Sequence, residues 1–230
     1  MSARAVYRLS VLLVIVACAV TSYLVVARRG EALPARSGPR PAFQLPFPCD
    51  ERWRLTTYPG HDDYDIDFFF IGGPSAGRAV VASAAGTVQW AGWSATLDDG
   101  TPAEPGTVGT RTGLGFGVII DHGGGWFTSY GHLTTWPAVR TGDAVRQRQL
   151  LGHVGRTGAT RSEHLHYEQH DDTRDRRRTR GVADKVEAHF DGVPSGITSD
   201  GSASTGPIRV AGPQSPDQDR TSRNCGPAVP

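Results

Sequence analysis

The chain has 230 residues, with 24 basic against 23 acidic side chains and a formal net charge of +1. That length supports one well-buried domain of about 150 to 200 residues, and the balanced charge excludes a dedicated nucleic-acid binder, which carries a basic excess. With 29 glycines and 16 prolines, the composition predicts frequent turns between short strands.

Residues 1–29 read as a signal peptide or N-terminal membrane anchor: Arg4 and Arg8 precede an apolar run from Val11 to Ala27, and Arg28 and Arg29 follow. The run has 17 residues, longer than a usual signal-peptide core and at the lower limit of a membrane span. Both readings place the remainder in the cell envelope or outside the cell. Removing the four arginines of this segment changes the charge from +1 to −3. Residues 30–46, rich in Pro, Ala and Arg, read as a linker. Residues 47–200 read as the folded domain, and 201–230 as an irregular tail tied back through Cys225. Cys49 and Cys225 are the two cysteines beyond the apolar segment, and an even pair in an exported chain predicts a disulfide.

Within the domain, β-branched and aromatic runs separated by turn residues predict strands at Ile66–Phe70, Ala79–Ala82, Thr87–Trp90, Phe116–Ile120, Trp126–Tyr130 and Leu150–Val154. Asp121 to Gly125 reads as a hairpin turn. Ser94 to Gly113 is polar and rich in Gly, Pro and Thr, and reads as a long loop placed to wall a groove. After residue 30 no stretch keeps a helical apolar period over three turns. The fold class is mostly β: antiparallel sheets in a single compact domain, with a substrate groove walled by loops.

Eight histidines are present, and the sharpest local feature is His164-Leu165-His166. On a strand, alternate residues face one way, so both imidazoles enter one space. An H-x-H alone is as well explained by two ordinary polar positions. Upstream, however, His61 precedes Asp65 and Asp67, and Asp67 is set between Ile66 and Phe68, where an ionised carboxylate is costly unless paired or metal-bound. Two imidazoles and a carboxylate are three protein ligands, which leave a tetrahedral zinc ion one open position.

These residues, with Ala79 to Val88, Ala91-Gly92-Trp93, Gly117 to Gly123, Tyr130-Gly131-His132-Leu133, Gly142-Asp143 and Gly152 to Gly158, occur in an order that resembles the lysostaphin/LytM-type zinc metallopeptidases. The resemblance covers roughly residues 48 to 192. It implies an exported zinc metalloendopeptidase that hydrolyses peptide bonds in bacterial peptidoglycan by attack of zinc-bound water, with one zinc per chain and His61 and His166 as ligands. The H-x-x-x-D spacing selects Asp65 as the third ligand and the strand context selects Asp67; both stay open, with burial favouring Asp67. His132 and His164 are implied as the unligated pair that moves protons and stabilises the oxyanion. Peptidoglycan peptides are the implied substrate partner, with a monomer expected and no nucleic acid. The alternatives are a catalytically idle wall-binding or hydrolase-activating relative, and a secreted peptidase with a non-wall target. His122 reads as a structural turn residue, and His153, His170 and His189 as solvated. Asp63 and Arg148 stand where the family has glycine. The arginine-rich run Arg174 to Arg180 reads as a solvated loop.

Overall fold

The computed structural model describes residues 39–57, 61, 64–171, 184–199, 209–210 and 218–226. The apolar segment 1–29 and the arginine-rich run lie outside these residues. Among the described residues there is no α-helix, and no helix is long and apolar enough to cross a membrane.

Fifteen strands follow in order: β1 (Arg52–Thr56), β2 (Ile66–Phe70), β3 (Ala79–Val81), β4 (Gly86–Thr96), β5 (Thr112–Asp121), β6 (Trp126–Leu133), β7 (Ala144–Val145), β8 (Leu150–His153), β9 (Leu165–Asp171), β10 (Asp184–Val186), β11 (His189–Phe190), β12 (Val193–Pro194), β13 (Ile197–Ser199), β14 (Arg209–Val210) and β15 (Asp219–Thr221). Nine of them form one sheet in the order β15-β1-β2-β9-β6-β5-β4-β7, with β10 added on β9. All of its pairings are antiparallel, as the fold class required. The strands β4 and β5 run further into the Ser94–Gly113 segment than residue types alone predict, and the loop proper is correspondingly shorter.

Alternation explains which face is which. In β2, Ile66 and Phe68 are fully buried in the core, while Asp67 between them faces the opposite way. In β9 the same split puts Leu165 and Tyr167 in the core and His166, Glu168 and His170 on the other face. The core continues through Trp53, Leu55, Val118, Ile120, Tyr130, Leu133, Leu151 and Val154.

The end of the segment read as a linker is also buried: Leu45, 4% exposed, joins this core, and Phe43, 1% exposed, packs in a second cluster with Ala84, Trp126 and Val186. The C-terminal segment read as irregular forms β15, which pairs with β1 through Arg52↔Thr221 and Arg54↔Asp219. The Cys49–Cys225 disulfide closes beside this pairing, with Cα atoms 4.7 Å apart.

Candidate metal centre

The site is assembled at the middle of the large sheet, where β2 and β9 pair with Asp67 directly opposite His166. His61 lies upstream of β2 and reaches the same point. Its Nε2 is 3.3 Å from His166 Nδ1 and 3.5 Å from Asp67 Oδ1, and His166 Nδ1 is 3.2 Å from that oxygen. The three atoms make a nearly equilateral triangle. A tetrahedral zinc ion with arms of about 2.0–2.1 Å holds its ligand atoms about 3.3 Å apart, so this triangle has the dimensions of one tetrahedral face. The donor set of two imidazoles and a carboxylate fits the same ion. Residues His61, Asp67 and His166 are all buried.

A second set, His132, His164 and His166, also places ring nitrogens within 4.8 Å of one another. It lacks a carboxylate to offset the ion's charge. His164 nevertheless touches the first set: its Nε2 is 3.1 Å from Asp67 Oδ1. The neighbouring pair Asp65 and Glu168 approaches His166 from its other nitrogen.

Charge explains the ionisation of these groups. Although burial opposes its charge, hydrogen bonds from His164 and His166 hold the Asp67 carboxyl below the ordinary carboxylate range. Burial likewise opposes charge on His166, but the carboxylates of Asp65, Asp67 and Glu168 raise it well above the usual imidazole value. Asp65 is pushed up to about 7, first by burial and then by Glu168. A cluster that concentrates carboxylates around an imidazole in this way favours any cation, whether proton or metal, and the two compete for the same lone pairs.

His132 reaches the site by a different route. On a regular β6 it would follow Tyr130 into the core. Between the pairs Phe116↔Leu133 and Val118↔Tyr130, Gly117 of β5 faces two residues of β6, Gly131 and His132. This β-bulge turns the His132 ring to the site face, with the residue at φ 64°, a conformation that costs non-glycine residues energy and clusters at functional sites. Its ring centroid lies 4.9 Å from that of His164 and 5.5 Å from that of His166. His132 Nδ1–H donates to Thr157 O at 2.7 Å, which leaves Nε2 unprotonated in the neutral ring. Burial, then His166 and His164, lower its pKa to about 3.

His164 stacks on Phe69 at 5.3 Å. Its Nδ1 lies 3.1 Å from Ser162 O and 3.2 Å from Ser162 Oγ, so either ring nitrogen can carry the proton of the neutral form.

These side chains line a pocket that also includes Asp98, Thr110 and Arg111 of the β4–β5 loop, Gly113 of β5, and Thr160 to Ser162, a segment bonded to that loop through Gly109 N–H to Thr160 O.

Several expected positions fall elsewhere. His153 is exposed and His189 half-buried. His122 is held by Ala85 O and Thr128 Oγ1, each at 2.8 Å, away from the triangle. Asp63 lies outside the described residues. Arg148 does adopt the left-handed conformation of the glycine it replaces, at φ 73°, with its Nε–H bonded to Asn224 O. His170, read as solvated, is corrected: it is 3% exposed, because β10 covers that end of β9, and it bonds Glu168 and Ser129. Glu168 and Lys185 were missed altogether. Glu168 had a signal in its alternation parity with His164 and His166, whereas Lys185 had none.

Fold and site thus define the class: an antiparallel β protein built around a buried cluster of two imidazoles and a carboxylate. Residues 70–177, just under half of the chain, match the family model described as Peptidase family M23, in agreement with the resemblance to the lysostaphin/LytM-type peptidases. The matched span holds His132, His164, His166 and Glu168, while His61 and Asp67 precede it. Solved structures similar to this chain include the catalytic domain, in a point-mutant form, of the prophage-encoded M23 protein EnpA from Enterococcus faecalis. That match has 23% identity over 52% of this chain and 81% of that one, with a TM-score of 0.39. The catalytic domain of the antimicrobial peptidase lysostaphin from Staphylococcus simulans matches at 25% identity over 54% and 80% of the two chains, TM-score 0.38. A zinc-containing peptidase from Vibrio cholerae matches at 22% identity, TM-score 0.42, over 58% of this chain but 38% of its own length.

Proposed function

We propose that the protein is an exported zinc metalloendopeptidase acting on peptide bonds of bacterial peptidoglycan. The observation that carries this reading is the His61–Asp67–His166 triangle, with edges of 3.2 to 3.5 Å, in a pocket that is also lined by the imidazoles of His132 and His164. The substrate class comes from the family resemblance, and export from residues 1–29 together with the Cys49–Cys225 disulfide, a feature of oxidising compartments.

In this reading His61, Asp67 and His166 hold the ion. When bound, zinc supplies a Lewis acid that polarises a peptide carbonyl and draws the pKa of a water toward ~7. The remaining steps belong to the protein's own groups. Thr157 O fixes the proton of His132 on Nδ1, so Nε2 is the atom that accepts a proton from the nucleophile and returns it to the leaving amine. His164, oriented by Phe69 and Ser162, donates a hydrogen bond to the negative charge that develops on the carbonyl oxygen. The groove walls fix the extended peptide across these atoms.

The test is mass spectrometry of purified cell wall incubated with the protein, with and without chelator. New amino termini that vanish on chelation are expected, with His166→Ala and Asp67→Asn losing zinc. Asp65→Asn should keep zinc. His132→Ala should keep zinc and lose turnover by ~10² to 10⁴-fold. Zinc-loaded protein that releases nothing from any wall preparation would replace this reading with a catalytically idle wall-binding one, and loss of zinc from His132→Ala would reassign the ligand set.

A further inference from the structure

We infer that Glu168 is a positioning residue for the metal centre: it holds the proton of His166 on Nε2 and thereby presents Nδ1 as a lone pair toward His61 and Asp67. The inference rests on the reading of His166 as a metal ligand.

A ligating imidazole needs its proton on the nitrogen remote from the ion, and the partner of that nitrogen decides where the proton sits. For His166 the remote nitrogen is Nε2. Two carboxylates approach it, but at different ranges: Glu168 Oε1 at 3.1 Å and Asp65 Oδ2 at 3.5 Å. Only the first lies within normal hydrogen-bond range for an N–H donor. Glu168 is itself fixed at both oxygens. His170 Nε2 lies 2.8 Å from Oε2 and Lys185 Nζ 3.1 Å from Oε1. The ammonium of Lys185 donates to Asp65 Oδ2 as well, at 2.8 Å, and pairs with Oδ1 at 2.7 Å. These four groups are brought together by strand register, since β10 pairs with β9 so that Lys185 lies opposite His170.

Lys185 is the sole lysine among the 24 basic residues of the chain. A compact ammonium with three donors can sit between two carboxylates, where a planar guanidinium would need bidentate geometry. Its position also means that the Asp65–Glu168 pair already has a cation between its oxygens. The pair therefore acts on the metal centre through His166 and not as a second ion site.

Zinc affinity of the full chain, measured by competition with a chromophoric chelator, tests the inference alongside the visible spectrum of the cobalt(II)-substituted protein. Glu168→Gln keeps the shape but removes the charge, and should weaken zinc binding at least about tenfold and change the cobalt spectrum, with far-UV circular dichroism unaltered. In the zinc-loaded wild type, long-range ¹H–¹⁵N correlation should find the His166 proton on Nε2. Zinc affinity of Glu168→Gln within about twofold of wild type overturns the inference and leaves the proposed function standing, whereas a proton on Nδ1 of the zinc-loaded wild type overturns the inference together with the ligand set it rests on. A wild-type chain that binds no zinc overturns both. If Glu168→Gln fails to fold, Glu168→Asp, which withdraws the carboxylate from Nε2 by one methylene, is read by the same affinity and cobalt measurements.

Discussion

His122 shows how a half-buried imidazole can be recognised as structural. Its two nitrogens are spent on Ala85 O and Thr128 Oγ1, and its ring meets Phe43 edge-on. Desolvation is the chief cause that lowers its pKa from 6.5 to about 4, against the raising effect of the Ala85 carbonyl. The folded state therefore binds fewer protons than the unfolded chain between those values, so stability rises with pH across that window and is lost as pH falls through it. A shift of this size corresponds to about 3 kcal/mol lost between pH 7 and pH 4. Asp65 works in the opposite sense over an overlapping range, because a carboxyl raised to about 7 favours the folded state in acid. The diagnostic is accordingly a difference. Urea unfolding of wild type and His122→Asn at several pH values should show the wild type losing about 3 kcal/mol more than the variant over this range. Parallel profiles would mean that His122 is solvated in the folded state.

At the scale of strands, the decisive element is the bulge in β6. Gly117, across from it in β5, has no room for a side chain: a Cβ there would lie 2.7 Å from Tyr130 O, 3.2 Å from Leu114 Cβ and 3.3 Å from Trp90 Cζ3. The clash with a backbone carbonyl is relieved only by moving β6, and β6 carries His132. Gly117→Ala should therefore cost about 1–3 kcal/mol of stability. It should also lower turnover by roughly 10²-fold through misplacement of the imidazole, with zinc affinity nearly unchanged because His61, Asp67 and His166 are on other segments. Gly73→Ala is the control, since a Cβ there meets nothing closer than 3.8 Å. Equal turnover in the two variants would remove the bulge from the account of the site.

The same element marks where the sequence stops being legible. Alternation in Ile66–Phe70 was enough to separate Asp67 from its apolar neighbours, because a strand's period is local. That period places His132 on the wrong face, and nothing in Tyr130-Gly131-His132-Leu133 signals an inserted residue; only the family resemblance marked it. His170, Lys185 and Glu168 illustrate a second limit. They are joined by the pairing of β9 with β10, and Asp65 reaches Lys185 across 120 residues. Side-chain partners that distant are set by sheet order, which composition and spacing do not encode.

For the molecule as a whole, the two ends of the described domain meet at one edge of the sheet. Cys49 precedes β1 and Cys225 follows β15, a separation of 176 residues. Two buried polar side chains fasten the same seam: Ser222 Oγ–H donates to Phe47 O at 2.8 Å, and Asn224 Nδ2–H to Leu45 O at 3.0 Å. Such hydrogen bonds contribute about 1 kcal/mol each. Closing a loop of that length restricts the unfolded chain by up to ~5 kcal/mol in the chain-entropy model, so the disulfide outweighs either bond. Reduction, or Cys225→Ser, should then lower the melting temperature by about 10–20 °C, at roughly 2–4 °C per kcal/mol for a domain of this size. Because β2 and β9 lie inside the sheet from β1 and β15, the His61–Asp67–His166 cluster should remain assembled below the new transition, and the proposed zinc site should keep its content at 25 °C. Calorimetry of oxidised and reduced protein, with zinc measured on each sample, separates the two effects. An unchanged melting temperature would mean that the hydrogen-bonded seam alone closes the domain, and loss of zinc on reduction would show that edge and centre are coupled through β2.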